Sequence, residues 1–346
     1  MASLTENELK SQIKSCKLNN LYLLYGEEKY LISHYTNKLI DVALDGTIND
    51  FNFKKFKTSN MSVDSLEESI EVLPFLSSKK CIVVSDLELE KFSVTEIKKL
   101  KEIVSKIPET TILIISQSNI DASTYKSSKW NSFIKLVEKH GNAVNFKKLS
   151  RLSLEKQIIN WAKKLTLNIS QNSVEKLIEY CGDDLLNLRS ELEKLSAFAD
   201  NGEITEDDIE LLVSKKAEAN VFDLTKAVSQ NNYDRALKIL HVLLEKKEEP
   251  VAILSLLASN YIDMYRVKVA KNSGVPTNKI AELFDYKRKE FRLTLASKAC
   301  DNYSLKDLRK YISFLKEIDL KLKSSKDDNK ILLEELLVKI SPQFSK

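Results

Sequence analysis

Glycine and proline are scarce in this chain, at 6 and 5 among 346 residues. A chain so poor in both is neither collagen-like nor proline-rich, and it reads as largely helical with short connections. Cys16, Cys81, Cys181 and Cys300 lie far apart, and no two of them form a CxxC pair. That spacing suits neither a disulfide scaffold nor a zinc site and fits a reducing, cytoplasmic setting. His34, His140 and His241 have no spacing for a metal or a catalytic triad, and they read as surface or packed side chains. No apolar run approaches the roughly 18 residues that span a bilayer, so no membrane partner is expected. The first six residues are polar and acidic and show no signal-peptide pattern. GxSxG, HExxH and glycine-rich dinucleotide signatures are all missing, so no catalytic residue, cofactor or metal is expected.

What is present is an ordinary composition, 43% hydrophobic and 30% charged, in a chain long enough for two or three domains. The net charge of +4 is unevenly placed, with the basic excess in residues 213–346. That imbalance suits a nucleic-acid surface or, more often, a solvated helical one.

Up to residue 147, strands alternate with helices. A helix over 4–18 precedes the apolar run Leu21-Tyr22-Leu23-Leu24-Tyr25, which ends at Gly26 and opens a helix reaching Ala43. Strand, glycine turn, helix is where a nucleotide-binding fold carries its phosphate loop. The GxxxxGK[ST] pattern is absent, and Glu27 and Glu28 would repel a triphosphate. A strand over 51–56, a helix over 64–71 and a strand over 81–84 come next. The acidic residue after that strand, Asp86, reads as a turn residue with no phosphate to serve. A helix over 94–107, strands at 111–116 and 143–146 and a helix over 130–140 complete a mostly parallel sheet with helices on both faces. The domain is expected at 1–147. From Ser153 strand signals stop. Helices over 154–165, 170–181, 185–198 and 205–212 make a small helical domain at 148–212. Asp183 or Asp184 is the N-cap of the third, and Thr205 with Asp208 caps the fourth. Residues 213–346 read as a helix bundle, with helices over 223–229, 233–244, 251–270, 279–284, 287–298, 304–323 and 329–340. The expected class is therefore α/β plus all-α.

One stretch stands out, Leu73-Pro74-Phe75-Leu76, between the helix carrying Leu66 and Ile70 and the strand at 81–84. Pro74 stops the helix near Leu73 and leaves Phe75 and Leu76 on a turn. These side chains either pack onto the domain or form an apolar plug for a partner's pocket. Ser150-Arg151 stands at the first domain junction, where an arginine in oligomeric ATPases can reach a neighbour's nucleotide; a structural salt bridge is the simpler reading. Lys287, Arg288, Lys289 and Arg292 fall on one helix, a solvated face or a contact to a DNA backbone.

The order of several blocks resembles the delta subunit family of the bacterial DNA polymerase III clamp loader along nearly the whole length. Leu21-Tyr22-Leu23-Leu24-Tyr25-Gly26-Glu27-Glu28 with Tyr30-Leu31 is similar to the family's opening. Leu73-Pro74-Phe75 followed by Lys79-Lys80 resembles its clamp-contact segment. Gly182-Asp183-Asp184-Leu185 with Leu188-Arg189, Glu191-Leu192 and Glu193-Lys194-Leu195 is the most specific block. Asn220-Val221-Phe222-Asp223-Leu224 with Ala227, Ala236-Leu237 and Leu243-Leu244 looks like the start of its third domain. Asp319, Lys321, Leu333-Glu334 and Leu336-Leu337 resemble its closing helices. The resemblance implies an AAA+-like α/β domain without ATP binding, a helical lid and a helical collar that holds an oligomer. It implies a non-catalytic subunit of a DNA-directed DNA polymerase (nucleotidyltransferase) holoenzyme, in a hetero-pentamer with gamma/tau ATPase subunits and delta-prime. It implies binding and opening of the beta sliding clamp, which then closes on primed DNA. Clamp binding would use Phe75 with an apolar neighbour; Pro74 stands where some members carry Leu, which leaves Leu73 or Leu76 as the partner. Two other readings are an AAA+ ATPase of a related assembly, disfavoured by the missing phosphate loop, and a DNA-binding scaffold using the basic last third.

Overall fold

The computed structural model describes residues 4–46, 48–75, 77–199, 202–284, 286, 290–324 and 328–341. They fall into two compact units, Met1–Leu149 and Ser150–Lys346. The first break lies two residues from the one expected at 147, and the segments expected at 148–212 and 213–346 both fall in the second unit.

The first unit runs α1 (Glu6–Lys14), β1 (Leu21–Gly26), α2 (Lys29–Ala43), β2 (Phe53–Lys57), α3 (Val63–Glu71), β3 (Lys80–Ser85), α4 (Val94–Ser105), β4 (Thr111–Ser116), α5 (Ser128–His140) and β5 (Asn142–Phe146). The strands form one parallel sheet in the order β2-β3-β4-β1-β5. β1, β3 and β4 are buried at every position because helices cover both faces. Leu21, Leu23, Ile82, Val84, Leu113 and Ile115 point to one face and meet Leu66, Ile70, Leu100, Val104, Trp130 and Phe133 from α3, α4 and α5. Alternate residues such as Tyr22, Leu24, Val83 and Ile114 are also buried, and α2 packs over β1, β3, β4 and β5. β2 sits at an edge, so Lys54, Lys55 and Lys57 stay exposed while Phe56 turns inward. The expected α/β class is observed.

The second unit begins with α6 (Arg151–Lys164), α7 (Gln171–Cys181), α8 (Leu185–Phe198) and α9 (Glu206–Leu212). Of the two candidate caps for α8, Asp184 accepts from the Asn187 amide at 2.9 Å. Thr205 and Asp208 form the expected capping box on α9. The expectation that strands end after the first domain is corrected by β6 (Asn168–Ile169) and β7 (Glu203–Ile204), which pair in parallel. Two-residue strands have no periodicity to read, and their pairing partner lies 35 positions away.

The bundle follows as α10 (Ala217–Ser229), α11 (Tyr233–Glu245), α12 (Pro250–Asn272), α13 (Thr277–Leu283), α14 (Glu290–Ala299), α15 (Leu305–Ser324) and α16 (Asn329–Lys339). α12 is the central post, packed by α10, α13, α14, α15 and α16. Its Tyr261 meets Tyr303 and Tyr311 edge-on, with ring centroids 5.8–6.0 Å apart. Quadrupoles favour that T-shaped geometry. Pro250 opens α12 at a position where its missing N–H costs nothing. No helix among the described residues is long and apolar enough to cross a membrane.

Candidate functional site

The turn after α3 is built by capping at both ends of that helix. At the start, Ser62 and Ser65 form a capping box, with the Ser65 amide donating to Ser62 Oγ at 3.0 Å. Val63, Leu66 and Ile70 turn inward. At the far end the helix stops at Glu71, the end expected of a helix over 64–71 and within two residues of Leu73. Val72 already leaves the helix at φ −58° and ψ 128°, and the ring of Pro74 disfavours helical backbone at Leu73. Leu73 is turned out, away from Leu66 and Ile70, and is 73% exposed.

Two side chains tie down carbonyls that this helix end leaves without partners, and a third holds the Ser69 hydroxyl. Thr111 Oγ1 on β4 donates to the Ile70 carbonyl at 3.2 Å. Lys80, the first residue of β3, donates its ammonium to the Ser69 carbonyl at 2.6 Å and also to the Val72 carbonyl. Lys54 on β2 donates to Ser69 Oγ at 2.8 Å. Lys80 is only 4% exposed. Burial, and then the charge of Lys54, hold its pKa below the ordinary lysine value. A cation at a helix C-terminus is favoured by the helix dipole, which offsets part of that cost.

Beyond this anchored base the chain is apolar and open. Val72, Leu73 and Phe75 are 66%, 73% and 59% exposed. Of the four expected contact residues, Leu73 and Phe75 are thus presented to solvent, Pro74 is half-buried between them, and Leu76 lies outside the described residues. Phe51, which the sequence reading placed at the start of a strand, stands on the connection before β2. It is 71% exposed, and its ring lies 5.7 Å from that of Phe75. β2 begins at Phe53 because Asn49 and Asn52 hold residues 49–52 in a turn. The amides of Phe51 and Asn52 both donate to Asn49 Oδ1 at 3.0 Å. The Asn49-x-x-Asn52 spacing was the available signal.

The place where a phosphate loop would stand is closed by the backbone. β1 and α2 are joined by Glu27 and Glu28 alone. Both of their amides donate to the Phe146 carbonyl of β5, at 2.8 and 2.9 Å. In a phosphate site such amides face the anion; here they face β5. Gly26 permits this at φ +129°, and a Cβ there would lie 2.4 Å from the Phe146 oxygen. Asp86 is a turn residue at φ 55°, and its carboxylate accepts from the Asn119 amide and Nδ2 at 2.9 and 2.8 Å.

Of the basic residues expected on one helix, Lys287, Arg288 and Lys289 lie outside the described residues, and α14 is described from Glu290. Arg292 is committed to the bundle. Its guanidinium lies 2.7 Å from Asp263 Oδ2, and that carboxylate also accepts from the Tyr286 hydroxyl. Arg266 donates to the same hydroxyl at 2.8 Å and stacks over Phe284 at 4.0 Å. Arg151 makes the simpler of its two expected contacts, an ion pair with Glu155 at 2.8 Å. His34 packs against Tyr30 and Tyr35, and His241 lies 2.7 Å from Glu334. Among the described residues no group of His, Cys, Asp and Glu could hold a metal ion. Burial pushes the thiols of Cys81 and Cys181 up to about 12, which leaves them inert.

Comparison with known proteins matches the family model "DNA polymerase III, delta subunit" over residues 22–147 and "DNA polymerase III delta subunit, C-terminal domain" over 218–340. The DNA polymerase III subunit delta of Bacillus subtilis (strain 168) is 26% identical over 339 residues, covering 95% of this chain and 94% of that protein. The probable DNA polymerase III subunit delta of Aquifex aeolicus (strain VF5) is 24% identical over 327 residues, covering 92% and 90%. Among solved structures, the Bacillus subtilis DNA clamp loader delta protein (YqeN) shares the fold. Its TM-score is 0.61 at 24% identity, over 96% of this chain and 98% of that one.

Proposed function

This chain belongs to the DNA polymerase III delta subunit family, and we propose on that footing that it is the clamp loader subunit that grips one protomer of the sliding clamp and opens the ring. The observation that carries this reading is the apolar tip at Leu73 and Phe75, exposed on a base that Thr111, Lys80 and Lys54 hold fixed. Apolar side chains ordinarily turn inward; an exposed pair on an anchored turn suits insertion into another protein's pocket.

The work is done by binding energy alone. The amides that would cradle phosphate are bonded to Phe146, which supports the reading of a subunit that hydrolyses no ATP. A protein without hydrolysis opens a ring only by binding the open state better. Shifting a closed:open ratio from 99:1 to 1:99 takes about 5.5 kcal/mol of preference. The gamma/tau ATPase subunits and delta-prime would present or withhold the tip, residues 213–346 would join the pentamer's collar, and primed DNA would be reached through the complex.

Phe75→Ala tests this directly. Loss of the ring should weaken clamp binding by about 2 kcal/mol or more, roughly 30-fold in Kd. The fold should be unchanged, because Phe75 is already 59% exposed. Unchanged affinity in a titration against the clamp would sink the reading.

A further inference from the structure

Phe51 is an expensive residue to expose, and the chain spends ordered structure on exposing it. Asn49 Oδ1 takes both the Phe51 and Asn52 amides, Asn52 Oδ1 accepts from the Asn49 amide at 3.0 Å, and the Asn52 carbonyl accepts from the Cys81 amide at 2.8 Å. Asn52 is 3% exposed while its neighbour Phe51 is 71% exposed. The turn is thus locked to the start of β3 and aims one aromatic ring outward. That ring lies against Phe75 at 5.7 Å with an interplanar angle of 54°, a separation within the attractive range for aromatic pairs. Through this contact the connection before β2, which also carries exposed Ile48, continues the apolar surface of Val72, Leu73 and Phe75.

We propose that Phe51 is a second element of the clamp-binding surface: it orients the Phe75 ring and enters the same apolar pocket beside it. The inference rests on the clamp-contact reading of the turn and extends it to a connection that the sequence motif does not include. Continuity with the tip selects the occupant. The patch formed by the two rings is shared, so whatever covers Phe75 meets Phe51 as well. A free Phe75 side chain would have to be ordered on binding; one held against a neighbouring ring has less freedom to lose.

The test uses the full chain and the purified clamp, titrated by calorimetry, with Phe51→Ala, Phe51→Leu, Phe75→Ala and the Phe51→Ala/Phe75→Ala double variant. Phe51→Ala should weaken binding about tenfold, as truncation of a contact aromatic does. Phe51→Leu, which keeps apolar area but no ring, should recover only part of the loss. The two single losses should combine to less than their product, because each ring acts through the other. The thermal midpoint should not move, and that separates positioning from a general loss of structure. If Phe75→Ala weakens binding while Phe51→Ala does not, this inference fails and the contact turn stands. If neither weakens it, the contact turn itself fails. Losses that multiply without coupling would overturn the orienting role. A Phe51→Ala variant that alters self-association in sedimentation but leaves clamp affinity unchanged would assign the patch to a second copy and overturn the inference.

Discussion

Lys80→Met removes the tie at the base of the tip and leaves the side-chain volume nearly unchanged, so no cavity is opened. Two hydrogen bonds from an ammonium are lost, to the Ser69 and Val72 carbonyls. Bonds to charged groups are worth about 1.5–3 kcal/mol each, but removing a buried charge returns part of that. The desolvation is substantial, since burial is the first cause of the lowered Lys80 pKa. We expect a net loss near 2 kcal/mol, read as a lower urea midpoint at constant m-value. The pH dependence has a definite sign. Folded Lys80 titrates below the ordinary value of 10.5, so in the interval between the two an unfolded chain holds a proton that the folded chain has shed. Stability from this group therefore rises with pH through that interval. The advantage of the native chain over Lys80→Met should be smallest below the lowered pKa and grow toward pH 10.5. Clamp affinity should fall severalfold at temperatures where the variant is folded. A variant as stable as the native chain, with an unaltered pH profile, would refute the idea that Lys80 holds the helix end.

Other outcomes follow from the same geometry. Gly26→Ala should cost about 3 kcal/mol or more, because φ +129° strains any side chain and the Cβ meets the Phe146 oxygen at 2.4 Å; an unchanged melting temperature would contradict this. Arg292→Met leaves Asp263 buried without its nearest cation and should cost about 3 kcal/mol in chemical denaturation. The same variant should leave the salt dependence of any DNA binding unchanged, since that guanidinium is already engaged. Magnesium–ATP at millimolar concentration should produce no thermal shift, whereas a ligand at 100 times its Kd would add about 2.7 kcal/mol.

Long apolar runs were the legible part of the fold. β1 and β4 are buried on both faces, so Leu21–Tyr25 and Thr111–Ser116 announce themselves without reference to the rest of the chain. Caps with their own side-chain chemistry were equally readable, as at Thr205 and Asp208. α10 begins at Ala217, six residues before the expected 223, and its cap Lys216 makes no side-chain hydrogen bond, so nothing marked the start. Pro74 and Phe75 were visible as a turn because proline acts on its immediate neighbours. The anchor was not visible: a lysine opening an apolar run looks like a solvated end until the carbonyls of Ser69 and Val72 are placed beside it. Phe51 was hidden for the same reason, since its partner is 24 positions away and only the folded sheet edge brings the rings together.

The turn at Gly26 has a consequence for what this chain can become and how it can be timed. Two residues join β1 to α2, and both amides are spent on the last carbonyl of β5. No substitution at Glu27 or Glu28 would free those amides, because backbone rather than side chain fills the seat. Nucleotide binding at this turn would require inserted residues and a new partner for Phe146, two changes of which neither is useful alone. The end of β5 is therefore riveted to the turn irrespective of any nucleotide. On the proposed reading, such a turn would keep no clock of its own, and the moment at which the apolar tip is offered would be set from outside, by the surfaces of neighbouring subunits.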